Sequence, residues 1–423
     1  MSSSRFSPEA IGRSVRSRPK RWIGGLIVVA AVLAGVVVWQ SHGSSSETAV
    51  VGVVAPHADA SIPGTPVNVG LGDECGRGWS GGRAGRQTFA LWNSTSSGME
   101  VYLEDASTKK VYLDVEALGA GSTRSSSTVL GAGSYRFFCV SDDTSPGAGA
   151  VERVTGSTGL PVTPGLKPVT ADDIRPLMTK YERWVAGRLP VLRRQVGALD
   201  ADVRSGDLVA ARSDWLTAHS TYETLGAAYG AFGRLDTAID GDPPTTTTAL
   251  ADRHLRGFHK IEALLWSAAP APRVAPFTAA LGRSVAALQT SFTSPGPHMA
   301  PLDVGLRAHE ILEDADLTTA NGTDDYGSHT SLATIDANIT GTDELLDVLE
   351  PVLRSTDPEL AQTRTWLART RRLVRGLHHS GSWTPLQHLS RTQREDLDAD
   401  LGEDVELLSH VAVITDPRPA DVS

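Results

Sequence analysis

Between Pro161 and Leu166, a stretch holding two prolines and a glycine, the hydrophobic pattern of this chain changes period, so it folds as two units of different class. Before that point the apolar residues sit in short β-rich runs: Thr88–Trp92, Met99–Leu103, Lys110–Leu113 and Tyr135–Val140, separated by Gly, Ser, Asn and Asp. Runs of this length and spacing predict an antiparallel β-sandwich of roughly 90 residues. From Ala171 onward the spacing is helical, with Ile174, Leu177, Tyr181, Trp184 and Leu189 on one face. Further helices are expected over Leu208–Phe232, Ala251–Ser267, Pro276–Phe292, Pro301–Asp316, Thr330–Leu353, Pro358–Gly376 and Gln393–Leu408. No strand–helix–strand alternation occurs, so the second unit reads as an all-α bundle of roughly 250 residues. The expected fold class is α+β multidomain, with a sandwich over 65–158, a linker over 159–170 and a bundle over 171–417.

The start of the chain sets the compartment. Arg13, Arg16, Arg18, Lys20 and Arg21 precede an uncharged apolar run, Trp22–Trp39, long enough to cross a bilayer core of ~30 Å. Basic residues stay cytoplasmic, so the bulk of the chain is expected outside a single-pass cell-membrane anchor. The pattern divides into a basic tail (1–21), a transmembrane signal anchor (22–39) and a flexible Ser/Ala/Gly-rich spacer (40–64). Cleavage as a signal peptide is the other outcome such a run allows; the run lacks an early small-x-small site, which favours the anchor. With no second run of this length, a polytopic channel is ruled out. The net charge of −10 persists despite the basic tail, which argues against a nucleic-acid partner.

Both cysteines, Cys75 and Cys139, fall in the sandwich. In an exported chain a lone pair defaults to a disulfide; the competing reading is a thiolate metal site with Glu74 and Glu100. In the bundle, His259 and Glu262 stand three apart and share a helix face that runs into apolar Ala263-Leu264-Leu265-Trp266. On spacing alone such a pair is more often a surface contact, but a polar pair carried toward a core needs partners or a metal. His219 and Glu223, four apart on the preceding helix, offer a second imidazole and carboxylate, and Asp236 and Asp240 follow. His309, Glu310, Glu313 and Asp325 read mainly as surface or capping residues. The chain has no His-Glu-x-x-His motif, no Gly-x-Ser-x-Gly elbow and no phosphate-cradling glycine loop, so it does not advertise hydrolytic machinery.

Three separated segments then resemble, in order, the signatures of imelysin-like proteins. They are Trp215–Glu223 with Phe232-Gly233-Arg234-Leu235-Asp236; Gly257-x-His259-x-x-Glu262 with Ala263–Trp266; and Tyr326-Gly327-Ser328-His329-Thr330 with Asp336-Ala337-Asn338 and Gly341. The resemblance implies a small cupredoxin-like domain followed by an imelysin-like helical bundle. It implies a non-enzymatic protein that binds iron, ferrous or ferric, outside the membrane and passes it to a membrane iron permease. A secreted haem peroxidase is the third member of such systems. By motif position the helical-domain metal site centres on His259 and Glu262, joined by Glu223, Asp236 and Asp240. In the small domain Glu74, Cys75, Glu100 and Cys139 stand in matching places for a second site, holding iron or copper, unless the cysteines form a disulfide. Asp242–Thr248 looks like a variable loop. The alternative reading is an imelysin-type metallopeptidase anchored at the cell surface, against which the missing His-Glu-x-x-His counts.

Overall fold

The computed structural model describes residues 62–141, 144–244 and 248–418. The apolar run 22–39, with the basic tail and most of the spacer, lies outside the described residues. No described helix is long and apolar enough to cross a membrane.

The first unit is β-rich. Its strands are β1 (Thr65–Val69), β2 (Gly82–Arg83), β3 (Gly85–Asn93), β4 (Met99–Asp105), β5 (Val111–Leu118), β6 (Thr123–Leu130), β7 (Gly133–Ser141), β8 (Thr144–Ala148) and β9 (Glu152–Thr155). One sheet has the order β1-β3-β6; the other has the order β2-β9-β7-β4-β5, with β8 alongside β7. Alternation along the strands sends Val67 and Val69, Phe89 and Leu91, Val101 and Leu103, and Phe137 and Cys139 into one shared core. Trp79, Phe89 and Phe137 meet edge to face there at 5.2–5.7 Å between ring centroids.

The expectation of a purely antiparallel sandwich is corrected. β1 runs parallel to β3, with Thr65 opposite Phe89, and β2 runs parallel to β9. The segment 70–84 between β1 and β3 makes this possible. It leaves the first sheet, is tied to β7 by the Cys75–Cys139 disulfide, and supplies β2 before returning. A tight hairpin can join only antiparallel neighbours; an excursion of this length can bring the chain back parallel.

The second unit is helical: α1 (Ala171–Ser205), α2 (Leu208–Glu223), α3 (Tyr229–Phe232), α4 (Arg234–Asp240), α5 (Gly257–Trp266), α6 (Ala271–Phe292), α7 (Pro301–Asp314), α8 (Ser331–Thr356), α9 (Leu360–Gly376) and α10 (Arg391–Thr415). Thr170 and Asp173 close a capping box at the start of α1, and Gly206 ends the helix in a left-handed turn. α1 packs on α2, α6 and α8, while α10 packs on α7 and α9, around one continuous apolar core.

Two departures from the sequence expectation matter for the site. The helix expected over Leu208–Phe232 breaks after Glu223, and the next turn is a short 3-10 segment, Gly226–Ala228. The helix expected from Ala251 starts only at Gly257. Gly257 has φ +79°, and a Cβ there would lie 1.9 Å from the Ile239 carbonyl oxygen. Only glycine lets the start of α5 lie directly on the end of α4. That close approach brings His259 beside Asp240. Lys260, buried on the same helix, donates to the carbonyls of Ala249 (2.7 Å), Leu250 (3.0 Å) and Asp252 (2.8 Å), and so fixes the chain leading into α5.

Candidate metal centre

α2, the end of α4 and the first turn of α5 converge on one small polar volume inside the bundle. α2 supplies His219 and, one turn on, Glu223; α4 supplies Asp240 from its last residue; α5 supplies His259. His219 Nε2 lies 3.2 Å from Glu223 Oε1 and 3.5 Å from Asp240 Oδ1. His259 Nε2 lies 3.7 Å from the same Asp240 oxygen, and its Nδ1 lies 3.1 Å from Asp242 Oδ1. Ligand atoms of His219, Asp240 and His259 all fall within 4.8 Å of one another.

The imidazoles are only 5% and 6% exposed, so both rings are shielded from bulk water, while Asp242 stands at the exposed edge. Trp215 stacks on His219 at 4.7 Å, and the Trp215 indole N–H is fixed on the Phe258 carbonyl at 3.0 Å. Tyr326 packs on His259 at 4.9 Å. Asn338 of α8 donates to Glu223 Oε2 at 2.9 Å and holds that carboxylate in place.

Electrostatics binds the group together. Burial alone would lower the His219 imidazole, but the Asp240 and Glu223 carboxylates outweigh it and push it up to about 10. The same contest, with Asp240 and Asp242 as partners, raises His259 well above its ordinary value. Burial would raise Asp240, yet His259 and His219 hold it down at about 2. Glu223 is raised by burial, only partly offset by His219.

The residues present fit a cation. Both ring nitrogens of His219, Nδ1 of His259 and Asp240 Oδ1 are buried and make no hydrogen bond of normal geometry, although carboxylates and imidazoles crowd them. Buried polar atoms left this way are costly, and one positive ion at the centre would satisfy Asp240 Oδ1 and one ring nitrogen of each histidine. Two imidazoles with a carboxylate, and further carboxylates at the margin, form a donor set suited to first-row transition metals such as iron.

The structure does not gather every residue that the sequence pointed to. His259, Asp240 and Glu223 come together. Asp236 stands one turn before Asp240 and is engaged elsewhere: the Tyr222 hydroxyl donates to it at 2.6 Å, and burial pushes its carboxyl up to about 7. Glu262 is buried beside the group but turned to backbone; its Oε1 accepts from the N–H groups of Tyr326 (3.1 Å) and Ser328 (2.9 Å). Burial pushes its carboxyl up to about 7, against the pull of His259 and Ser328. His219 was legible as the helix partner of Glu223, yet it enters here as a member of the central three. Asp242 had no signal, since it lies in the Pro/Thr-rich stretch read as variable.

In the small domain the structure follows the default disulfide reading and not the competing thiolate site. Cys75 and Cys139 form a disulfide, so neither offers a thiolate, and the copper reading loses its soft ligands. Glu74 is paired with Arg77 at 2.5 Å on the surface, which holds its carboxyl below the usual range. Glu100 alternates with Val101 along β4 and therefore faces away from the core that Cys139 enters opposite Val101. Glu100 instead joins Asp114 and Glu116 on the outer face, where Arg418, just past α10, donates to all three.

Comparison with known proteins finds a family likeness over part of the helical domain. The imelysin family model matches residues 177–294, which include His219, Glu223, Asp240 and His259. More particularly, the chain is similar to the iron uptake system component EfeO of Yersinia pestis, 25% identical over 282 residues, covering 66% of this chain and 72% of that protein. The EfeO of Escherichia coli K12 is 25% identical over 183 residues, 43% of this chain and 48% of its own length. The resemblance to an EfeO-type iron-uptake component is thereby borne out. These relatives are named as uptake components rather than enzymes, although the imelysin label itself belongs to a peptidase family.

Proposed function

We propose that this chain is the extracytoplasmic iron-binding component of an uptake system. It captures iron at the centre formed by His219, Asp240 and His259, with Glu223 and Asp242 at the margin, and passes it to a membrane permease. A secreted haem peroxidase is the expected third member, and a single apolar anchor at 22–39 would keep the protein at the cell surface. The observation that carries the reading is the cluster of one ligand atom each from His219, Asp240 and His259 within 4.8 Å of one another, with buried atoms lacking a hydrogen-bond partner among these residues. Iron is the cargo here. Capture replaces the protons that hold the imidazoles charged, so loading releases protons and unloading takes them up. The peptidase alternative fits the surroundings less well. Trp215, His219 and Glu262 line a cavity of only ≈ 10 Å³, about one water in size, too small for a peptide to reach the centre in this state.

The test is titration of the purified protein with iron under anaerobic and aerobic conditions, beside His259→Ala and His219→Ala. One site per chain that both substitutions abolish, with helical content unchanged, is the expected result. Full-affinity binding by both variants would overturn the assignment. Cleavage of a generic peptide, lost on chelation, would revive the peptidase reading.

A further inference from the structure

The segment 324–329 lies across the centre, braced by its own local hydrogen bonds and tied to α5 and Asp242 by Tyr326 and Ser328. The Tyr326 ring covers His259, and its hydroxyl donates to Asp242 at 2.9 Å at the exposed edge of the site. Asp324 accepts from Thr319 at 2.6 Å, at the end of a π-helical turn, Ala315–Thr319, that lets the chain leave the α7 helix. Asp325 Oδ1 braces the segment internally by accepting from the N–H groups of Gly327 (2.9 Å) and His329 (3.1 Å). Gly327 has φ +135°, and a Cβ there would lie 2.9 Å from Cβ of Trp266 at the end of α5, so the segment is pressed against the helix that carries His259. The hydrogen bonds that tie its backbone to that helix both end on one atom, Glu262 Oε1, which accepts from Tyr326 and Ser328.

We infer that Glu262 is a positioning residue, a latch that holds segment 324–329 closed over His259 so that the segment gates passage to and from the metal centre. This rests on the metal-centre reading for what is gated, but the latch itself is a property of the metal-free protein. A carboxylate accepting two backbone N–H groups is well satisfied without a metal, and 1% exposure leaves it no solvent partner. When the segment lifts, Tyr326 leaves both His259 and Asp242, and the same movement uncovers the centre. Closure slows loss of the cargo, and opening permits its transfer.

The experiment compares Glu262→Ala, Glu262→Gln and Gly327→Ala in the full chain, with two readouts. The first is hydrogen exchange at the Tyr326 and Ser328 amides without metal. The second is release of anaerobically loaded iron(II), added as the metal alone, to a colorimetric chelator. Glu262→Ala should lose amide protection and release iron at least ~10-fold faster, the size expected for losing one hydrogen bond to a carboxylate. Its association rate should rise too, so affinity moves less than the release rate. Glu262→Gln retains an acceptor oxygen and should keep both protection and slow release. Gly327→Ala should speed release with Glu262 intact, because its Cβ forces the segment off α5. Should Glu262→Gln lose binding as completely as Glu262→Ala while amide protection survives in both, Glu262 is a direct ligand and the latch is refuted. Should the parent bind no iron, the metal-centre reading fails by itself; unchanged amide protection in Glu262→Ala would then refute the latch separately.

Discussion

Replacing His219 by Gln should flatten the pH dependence of the metal-free helical domain, and the size of the effect follows from the geometry. In the folded protein, burial lowers His219 but Asp240 and Glu223 win, leaving it at about 10. In the unfolded chain it returns to ~6.5. A folded value above the unfolded one means the native state holds the proton more tightly. The stabilisation is therefore complete below pH ~6.5 and is lost as pH rises toward 10. Integrated between pH 6 and pH 9, that difference amounts to ~3 kcal/mol. Gln fills similar space and does not titrate, so the variant should be less stable than the parent at pH 6, with the gap closing by ~3 kcal/mol at pH 9. Urea unfolding followed by the helical circular-dichroism signal, on protein stripped of metal, measures the gap at each pH. The raised carboxyls of Glu262 and Asp236 also weaken the fold as pH climbs, but they are present in both proteins. Parallel stability curves for parent and variant from pH 6 to 9 would show that His219 is not held as an imidazolium, and the electrostatic account of the centre would fall.

Iron affinity should rise with pH, by up to ~10-fold per unit for each proton displaced, because an imidazole must be neutral to ligate; pH-independent affinity would mean that neither histidine is a ligand. The protein exported natively should show no alkylatable thiol, and Cys75→Ser with Cys139→Ser should destabilise the β domain by ~4–5 kcal/mol, as expected in the chain-entropy account for a bridge spanning 64 residues; two free thiols would contradict the assignment. Gly257→Ala should cost more than ~2 kcal/mol and weaken iron binding, since the added carbon meets the Ile239 carbonyl at 1.9 Å and must push α5 away from α4; unchanged melting would refute that close approach.

Much of the architecture was legible because it rests on local periodicity. The period change near Pro161 and the long faces of α1, α6, α8 and α10 follow from side-chain patterning and survive folding unchanged. What escaped was set by contacts between distant segments. β6, Thr123–Leu130, is rich in Ser and reads as a loop, yet it pairs along β3 as an edge strand whose outer face needs no apolar residues. The break after Glu223 has only a weak local signal, Gly226 and Gly230 among helix-forming alanines, so the 3-10 segment is fixed by packing. At the centre, spacing could pair His259 with Glu262 and His219 with Glu223. It could not show that Glu262 turns to the backbone of Tyr326 and Ser328, nor that Asp242 reaches His259. Side-chain direction at a site assembled from several helices depends on how those helices pack, and one helix's sequence does not record it.

The most direct measurement is X-ray absorption at the iron edge on the loaded protein, because it reports ligand type without relying on any substitution. The account predicts a first shell of mixed nitrogen and oxygen donors, with the multiple-scattering signature of two imidazoles from His219 and His259. A loaded protein whose iron has only oxygen donors and no imidazole scattering would contradict the central claim, whatever its affinity.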